Sequence, residues 1–221
     1  MGCYNISISE VLLLIKENFY IKEISYQEAM ALVIEKHYLH RKCPCSHAYG
    51  LFNKNNNEIV GVITYGVSCS STLLKGICGE EEMHNVYELN RLWVDDSVPK
   101  NGESFLIANT IKLLDKEIIV SFADTSYNHV GLVYQATNFI YCGLSAKFRD
   151  PKVKGLENQH HATYAHGMTM KQVIEKYGAE NVYYVDRPRK HRYIYFNCNK
   201  KRKKELLKKL KYKQLPYPKN N

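Results

Sequence analysis

Four short runs of this 221-residue chain gather side chains able to move protons or hold charge. In Lys36-His37-Tyr38-Leu39-His40-Arg41 two imidazoles stand three residues apart at what reads as a helix end. There they can share a face as base or metal ligands, or simply be exposed histidines favoured by the helix dipole. In Tyr87-Glu88-Leu89-Asn90-Arg91-Leu92-Trp93-Val94 strict alternation sends Glu88, Asn90 and Leu92 to one face and Leu89, Arg91 and Trp93 to the other. A charge on each face of an interior strand is costly unless it is paired or faces a cleft. Arg91 is therefore either the buried partner of an acid such as Asp124 or an anchor for an anionic substrate group. The run Val98-Pro99-Lys100-Asn101-Gly102-Glu103-Ser104 lies at a strand-to-helix junction, where backbone amides bind phosphate; an ordinary N-cap turn explains it equally. The fourth run, Ser121 to His129, puts Asp124 and His129 at the carboxyl end of a buried-looking strand, where α/β sheets collect catalytic groups. Asp124 as only the cap of the following helix is the equal alternative.

Stepping outward, the elements that must position these runs are short and alternate in type. Ser9 to Phe19 has helical spacing, Ile21 to Ile24 is a strand, and Ser25 with Glu28 forms a capping box for a helix to about Lys36. His47–Phe52 and Ile59–Tyr65 flank the polar turn Asn53 to Asn57 as a hairpin. Gly66 to Glu82 reads as an irregular surface loop. Val86–Val94 is a strand, Glu103–Leu114 a helix packed on a sheet, and Ile118–Ala123 a strand covered on both faces. His129–Asn138 reads as a helix and Ile140–Leu144 as a strand. The polar, His-rich tract from Lys147 to Gly167 is placed on the surface, followed by a helix at Lys171–Tyr177, a last strand at Tyr193–Phe196 and a helical stretch from Lys200 through Lys213. This order gives one α/β domain over residues 1–221, a mixed sheet flanked by helices, with no internal repeat or linker.

The formal charge of +9 is unevenly spread: Arg187 to Asn221 holds 14 Lys or Arg and the single acid Glu205, while the remainder is net acidic. Arg187, Arg189, Lys190, Arg192, Lys200, Lys201 and Arg202, interleaved with Tyr193, Tyr195 and Phe196, suit a phosphate backbone with exposed bases, so residues 187–221 are expected to form a DNA-contacting strand and helix. A solvated basic tail is the alternative. No apolar run approaches a bilayer span, and the start lacks the basic and apolar regions of a leader, so an unprocessed intracellular protein is expected. Gly2 and Cys3 stand at lipidation-prone positions, but Ile6 stands where myristoylation wants Ser or Thr. The seven cysteines are odd in number and include no C-x-x-C pair, which fits a reducing compartment; zinc held by some of them is the minor alternative.

Laid end to end, these runs resemble the phage Mu Mom family of DNA adenine modification proteins. The resemblance is carried by Tyr38-Leu39-His40-Arg41-Lys42, Gly61 to Gly66, Gly76-Ile77-Cys78-Gly79, Tyr87 to Trp93 and Pro99-Lys100-Asn101 with Glu103-Ser104. Above all it is carried by Ser121-Phe122-Ala123-Asp124-Thr125, His129-Val130-Gly131 and Val133 to Asn138; Arg189 to Tyr193 and Pro216 to Lys219 look like the family's ending. It implies a single-domain GNAT-like acyltransferase fold and transfer of a carbamoyl-bearing (methylcarbamoyl- or glycinamide-like) group to the N6 amine of adenine, protecting phage DNA from restriction in the bacterial host cytoplasm. The GNAT helix motif A-x-x-L-Y-x-x-x-G-F is matched in spacing by Val130, Val133, Tyr134, Asn138 and Phe139, which makes Tyr134 the general acid and replaces the motif's Gly by Asn. The GNAT diphosphate loop is reduced to Lys100-Asn101-Gly102-Glu103-Ser104 with one Gly. An acyl-CoA or related donor and an iron ion at His37 and Asp124 are the cofactors the resemblance implies.

Adenine N6 is a poor nucleophile whose edge is paired in duplex DNA, so the base must be flipped or single-stranded and a group must take its proton. Asp124 is expected to orient or deprotonate the amine, Tyr134 to protonate the leaving group, Arg91 with Ser104 to place the donor, and His37, Tyr38 and Tyr49 to line the adenine or metal side. His129, Lys100, Asn101 and Gly102 complete the expected substrate and donor contacts. Two other readings stand beside this one: a GNAT-like N-acyltransferase acting on a small-molecule or protein amine, and a non-enzymatic nucleic-acid-binding accessory protein.

Overall fold

A computed structural model describes residues 8–157, 159 and 161–219, so Gly2, Cys3 and Ile6 lie outside the described residues. The chain forms two compact units: one takes the described residues up to Ala123, Val130–Gly143 and those from His191 onward, the other Asp124–His129 and Leu144–Lys190. No Pro-, Gly- or Ser-rich linker announces the division, because three of its four boundaries fall at the ends of strands. No helix among the described residues is long and apolar enough to cross a membrane.

The first unit opens with α1 (Ile8–Asn18), β1 (Phe19–Glu23), α2 (Tyr26–Lys36), β2 (His47–Asn53), β3 (Ile59–Gly66) and α3 (Ser71–Cys78). It continues with β4 (Val86–Val94), α4 (Gly102–Thr110), β5 (Ile118–Asp124), α5 (Leu132–Ala136) and β6 (Ile140–Leu144). The second unit adds β7 (Phe148–Val153), α6 (His161–Ala165), α7 (Met170–Tyr177) and β8 (Val182–Arg187); the chain then returns through β9 (Lys190–Phe196) and ends with α8 (Lys200–Lys209) and an extended tail.

The sheet is mixed and seven-stranded, in the order β1-β2-β3-β4-β5-β9-β6, with β1 to β4 antiparallel neighbours and β5 parallel to β4. Both faces are covered. On one, Ile15 of α1, Phe105, Leu106 and Ile107 of α4 and Tyr134 of α5 pack on Leu51, Ile63, Tyr65, Leu89, Ile119 and Tyr193. On the other, α3 and α8 pack on Val86, Val120 and Ile194, and α2 packs on Ala48 and Val62. The Ser25–Glu28 box forms as the sequence implies, with the Glu28 amide donating to Ser25 Oγ at 3.2 Å and the Ser25 amide donating to Glu28 Oε2 at 2.9 Å.

Three stretches differ from expectation. Gly66 to Glu82 is not a loop throughout: Ser70 caps α3 by accepting from the Leu73 amide, and the helix buries Leu74, Ile77 and Cys78. The tract 147–167 is not merely a surface segment: Val153, Tyr164 and Ala165 join Val173 in a small core of the second unit's own. The helix expected over His129–Asn138 shortens to Leu132–Ala136, since Gly131 and Asn138 both adopt left-handed backbone.

The basic C-terminus is not a loose tail. Arg202 on α8 donates to Glu117 Oε2 at 2.8 Å and Glu82 Oε2 at 2.7 Å, and Lys209 donates to Glu82 Oε1 at 2.7 Å. Beyond α8 the Lys211 amide donates to the Ile77 carbonyl, the Leu215 amide to Tyr141 and the Tyr217 hydroxyl to Phe139, binding the tail onto β6.

Candidate active site where two strands part

The centre of the first unit is built by one extra residue in β4. Opposite β3 the register passes from Tyr65↔Leu89 to Thr64↔Arg91, so Asn90 bulges. Its amide side chain is pinned, accepting from Thr64 Oγ1 at 2.6 Å and donating to the Pro44 carbonyl at 2.6 Å. The bulge resets the alternation read from the sequence: Leu89 and Leu92 both face the α1–α4–α5 core, and Trp93 faces α2.

The β4–β5 ladder runs from Val86↔Ile118 to Leu89↔Ser121 and ends there. The Leu89 carbonyl is taken by the Ser121 hydroxyl at 2.8 Å, a side chain standing where a strand amide would otherwise bond. Beyond this point lies Tyr134. Its ring packs on Phe139 and Tyr193 at centroid distances of 5.4 and 5.2 Å, and the Ser121 hydroxyl acts on its phenol. Burial pushes the Tyr134 phenol up to about 12, opposed by Ser121 and reinforced by the charges of Tyr38 and Glu88. Gly131 permits this packing: at φ 75° any Cβ would stand 2.5 Å from the Tyr193 ring and 3.0 Å from Tyr134.

Tyr38 and His37 come from the end of α2. His37 is 5% exposed and extended at the helix C-cap; its Nδ1 accepts from the Leu39 amide at 3.1 Å and its ring stacks on Tyr38 at 4.3 Å. The helix ends before His40, which takes left-handed backbone and bonds the Ile34 carbonyl through Nδ1, so the two histidines do not share a helical face. Arg91 is engaged by backbone carbonyls. Its guanidinium donates to the carbonyls of Asn90 (2.6 Å), Arg41 and Lys42 (both 3.4 Å), tying the 41–45 segment to the bulge, and its Nε is buried without a partner.

The remaining candidates fall elsewhere. Tyr49 is buried among Glu23, Asp115 and Tyr87, near the start of β4 rather than at the parting strands. Asn101 is the left-handed N-cap of α4 and makes no side-chain cap bond. Lys100 is exposed beside it, and Ser104 lines a cavity of about 380 Å³ between α1, α4 and the end of α5. The glycine of this turn is packed against its own chain. The Gly102 amide is spent on the Pro99 carbonyl at 3.1 Å, and the space a Cβ would fill is already occupied by Val98 at 2.6 Å and Val94 at 3.2 Å.

Within the second unit, Asp124 caps a 3-10 turn at Thr125–Tyr127. Its Oδ1 accepts from the Ser126 amide (3.0 Å) and hydroxyl (2.6 Å), and Oδ2 pairs with Lys190 Nζ at 3.3 Å. Burial raises its pKa, but the Ser126 bonds and the Lys190 charge outweigh this and hold the carboxyl below its ordinary value. The His129 amide donates to the Asp124 carbonyl at 3.2 Å. Among the described residues no three His, Cys, Asp or Glu side chains gather as a metal site, and the Asp124 oxygens are already engaged, so the iron expected at His37 and Asp124 finds no ligand set.

Most of the expected DNA-binding cations have partners. Arg187 chelates Asp150, Arg189 donates to the carbonyls of Ser145 and Leu144, Lys190 holds Asp124 and Arg202 holds Glu82 and Glu117. Arg192 stacks on Tyr212 at 3.8 Å. Lys200 and Lys201 are exposed on α8. Two residues gained significance only from the geometry. Glu88 was flagged by its charge in an interior strand, and Ser121 had no signal beyond a small hydroxyl in an apolar run.

A family model described as the Mom protein family matches residues 18–219. This chain belongs to the Mom family. The methylcarbamoylase mom of Escherichia phage Mu is 30% identical to it over 213 residues, covering 90% of this chain and 83% of that protein. Among solved structures, the ribosomal-protein-S5-alanine acetyltransferase of Vibrio fischeri is similar at 11% identity and TM-score 0.47, covering 82% of this chain and 94% of its own. A Bacillus subtilis acetyltransferase in complex with CoA is similar at 15% identity and TM-score 0.42, covering 81% and 97%. For this Mom member, the match takes in both the bulged strand and Tyr134.

Proposed function

We propose that this protein is a transferase that modifies adenine in phage DNA, adding a carbamoyl-bearing group to the N6 amine and acting in the cytoplasm of the host cell. Family membership and the methylcarbamoylase relative support the reading. The observation that carries it is the phenol of Tyr134, buried against Phe139 and Tyr193 beside the end of the β4–β5 ladder and raised to about 12, with the charges of Tyr38 and Glu88 acting on it.

A phenol with that pKa is protonated throughout the physiological range and serves as a proton donor rather than a base. The N6 lone pair forms a bond to the activated carbon of a carbamoyl-bearing donor while the bond from that carbon to its leaving group breaks. The departing group takes the Tyr134 proton, and the proton lost from N6 passes to Glu88; transfer from Glu88 through water to Tyr134 resets both. Tyr38, stacked on His37, offers an aromatic wall for an adenine flipped or unpaired so that its N6 edge is accessible. Asp124, held in the second unit by Ser126 and Lys190 and shifted toward the anion, is assigned no step.

The test is mass spectrometry of nucleosides from DNA of cells expressing the protein. A carbamoyl-bearing deoxyadenosine that disappears with Glu88→Gln and Tyr134→Phe supports the assignment. Unmodified deoxyadenosine, with acyl transfer from labelled acyl-CoA to a small amine, would overturn the DNA substrate.

A further inference from the structure

The second unit carries a two-stranded ribbon whose outer face has no role in the site above. In β7–β8 the register pairs Phe148 with Arg187, Asp150 with Val185 and Lys152 with Tyr183, and such directly opposed residues share a face. The other face turns Val153 and Val182 toward the core around Tyr164 and Val173. The first face is open to solvent: Phe148 is 61% exposed, Val185 44% and Tyr183 36%. Each of its aromatic rings therefore has a cation directly across the ladder, and the apolar Val185 lies between them. The two rings stand four residues apart, about 13 Å along the strands, roughly four stacked nucleotides.

The cations are held in place. Asp150 grips Arg187 through two nitrogens and sets its guanidinium over the Phe148 ring at 5.5 Å, while Lys152 Nζ donates to the Glu157 carbonyl at 2.6 Å. Residues 144–190 contain nine Lys or Arg against five acids, so the face sits in a basic setting. Exposed rings beside ordered cations form a stacking platform for nucleobases next to phosphates. By contrast, α8 spends Arg202 and Lys209 on Glu82, Glu117 and Glu81, which lowers its share of free positive charge.

Resting on the DNA-modifying function proposed above, we infer that the Phe148–Val185–Tyr183 face of the β7–β8 ribbon is where unpaired bases of the substrate DNA stack. The probe is a fluorescein-labelled, adenine-containing single-stranded oligonucleotide titrated into the full-length protein, with the matching duplex in parallel. Phe148→Ala with Tyr183→Ala is expected to weaken single-strand binding about tenfold or more per ring, with the salt dependence kept because no phosphate partner is lost. Arg187→Ala should flatten the salt dependence, and Lys200→Ala with Lys201→Ala should change affinity less than the ring variant. Both rings are exposed, so an unchanged Tm establishes that the ring variant is folded.

Ring-variant affinity within twofold of wild type would overturn the inference while leaving the DNA substrate standing. Wild-type protein that binds neither oligonucleotide would overturn both. A wild-type dimer, seen by light scattering and dissociated by the ring substitutions, would give this face to a second copy and also overturn the inference.

Discussion

Replacing Tyr134 by Phe isolates one proton. The ring remains, and with it the contacts to Phe139 and Tyr193; the hydroxyl and its hydrogen bonding are removed. Losing one buried hydrogen bond costs about 1 kcal/mol of folding free energy, roughly 2–4 °C in Tm for a protein of this size. A domain stable by roughly 5–15 kcal/mol stays folded after that loss. The chemical effect is larger: a positioned general acid contributes about 10² to 10⁴ in rate, equivalent to about 3–5 kcal/mol of barrier. The two effects therefore separate, with Tm nearly unchanged and product formation down at least about a hundredfold. The pH dependence gives a second check. The phenol's pKa is raised from its ordinary value of 10 to about 12. Its contribution to stability is complete below about 10 and is lost as pH rises through about 12, so between pH 6 and 9 this group gives wild-type activity no alkaline limb. The assay is purified protein on adenine-containing DNA, digested to nucleosides and quantified by mass spectrometry. Tyr134→Phe protein with wild-type Tm and more than a tenth of wild-type product would refute the proton-donor role.

Three further outcomes follow from the ion pairs and carbonyl contacts. Glu82, buried between Arg202 and Lys209, has a pKa lowered from 4.5 to about 2 despite burial, so its stabilisation is present above about pH 4.5 and lost as pH falls through about 2. Glu82→Gln should cost on the order of 3 kcal/mol in urea unfolding at pH 7 and little near pH 2, and an equal cost at both would contradict the ion-pair account. Asp124→Asn keeps an acceptor for the Ser126 amide and loses the Lys190 pair, so it should destabilise by about 1 kcal/mol and reduce product less than Tyr134→Phe does. A complete loss of product in folded Asp124→Asn protein would return Asp124 to the chemistry. Arg91→Ala removes the donors to three carbonyls and should lower Tm by several degrees, read by calorimetry; an unchanged Tm would show that the 41–45 segment does not depend on it.

What could be read from the sequence was whatever depends on neighbours in the chain. The capping box at Ser25–Glu28, the hairpin around Asn53–Asn57 and the apolar run of β5 are local signals, and each forms where expected. The helix α3 was hidden because Ser70-Ser71-Thr72 and Gly76 resemble loop composition, although Leu73, Leu74, Ile77 and Cys78 keep helical period and need α8, well over a hundred residues away, to be buried. The ribbon β7–β8 was hidden for a similar reason. With Phe148, Tyr183 and Val185 exposed, its strands lack the alternation that marks a half-buried sheet.

The site shows the same limit more sharply. Tyr134 was reachable through motif spacing, and the change of the motif's Gly to Asn138 proves conservative in backbone terms, since Asn138 takes φ 60° and Asn tolerates left-handed backbone better than most residues. Strict alternation, however, fails at Asn90, because a bulge leaves no mark within its own strand and is defined only by the partner register across β3. That one-residue slip lets Leu89 and Leu92 face the same core and gives the side chain of Asn90 to the Pro44 carbonyl. The 41–45 segment is thereby fixed on the bulge by Asn90 and Arg91 together. Tyr38, three residues before Arg41, stacks on His37 and leads into the segment that these long-range contacts hold. The residues proposed to do chemistry stand far apart along the chain, and a single chain read in order does not encode in any residue type the register shift that shapes their surroundings.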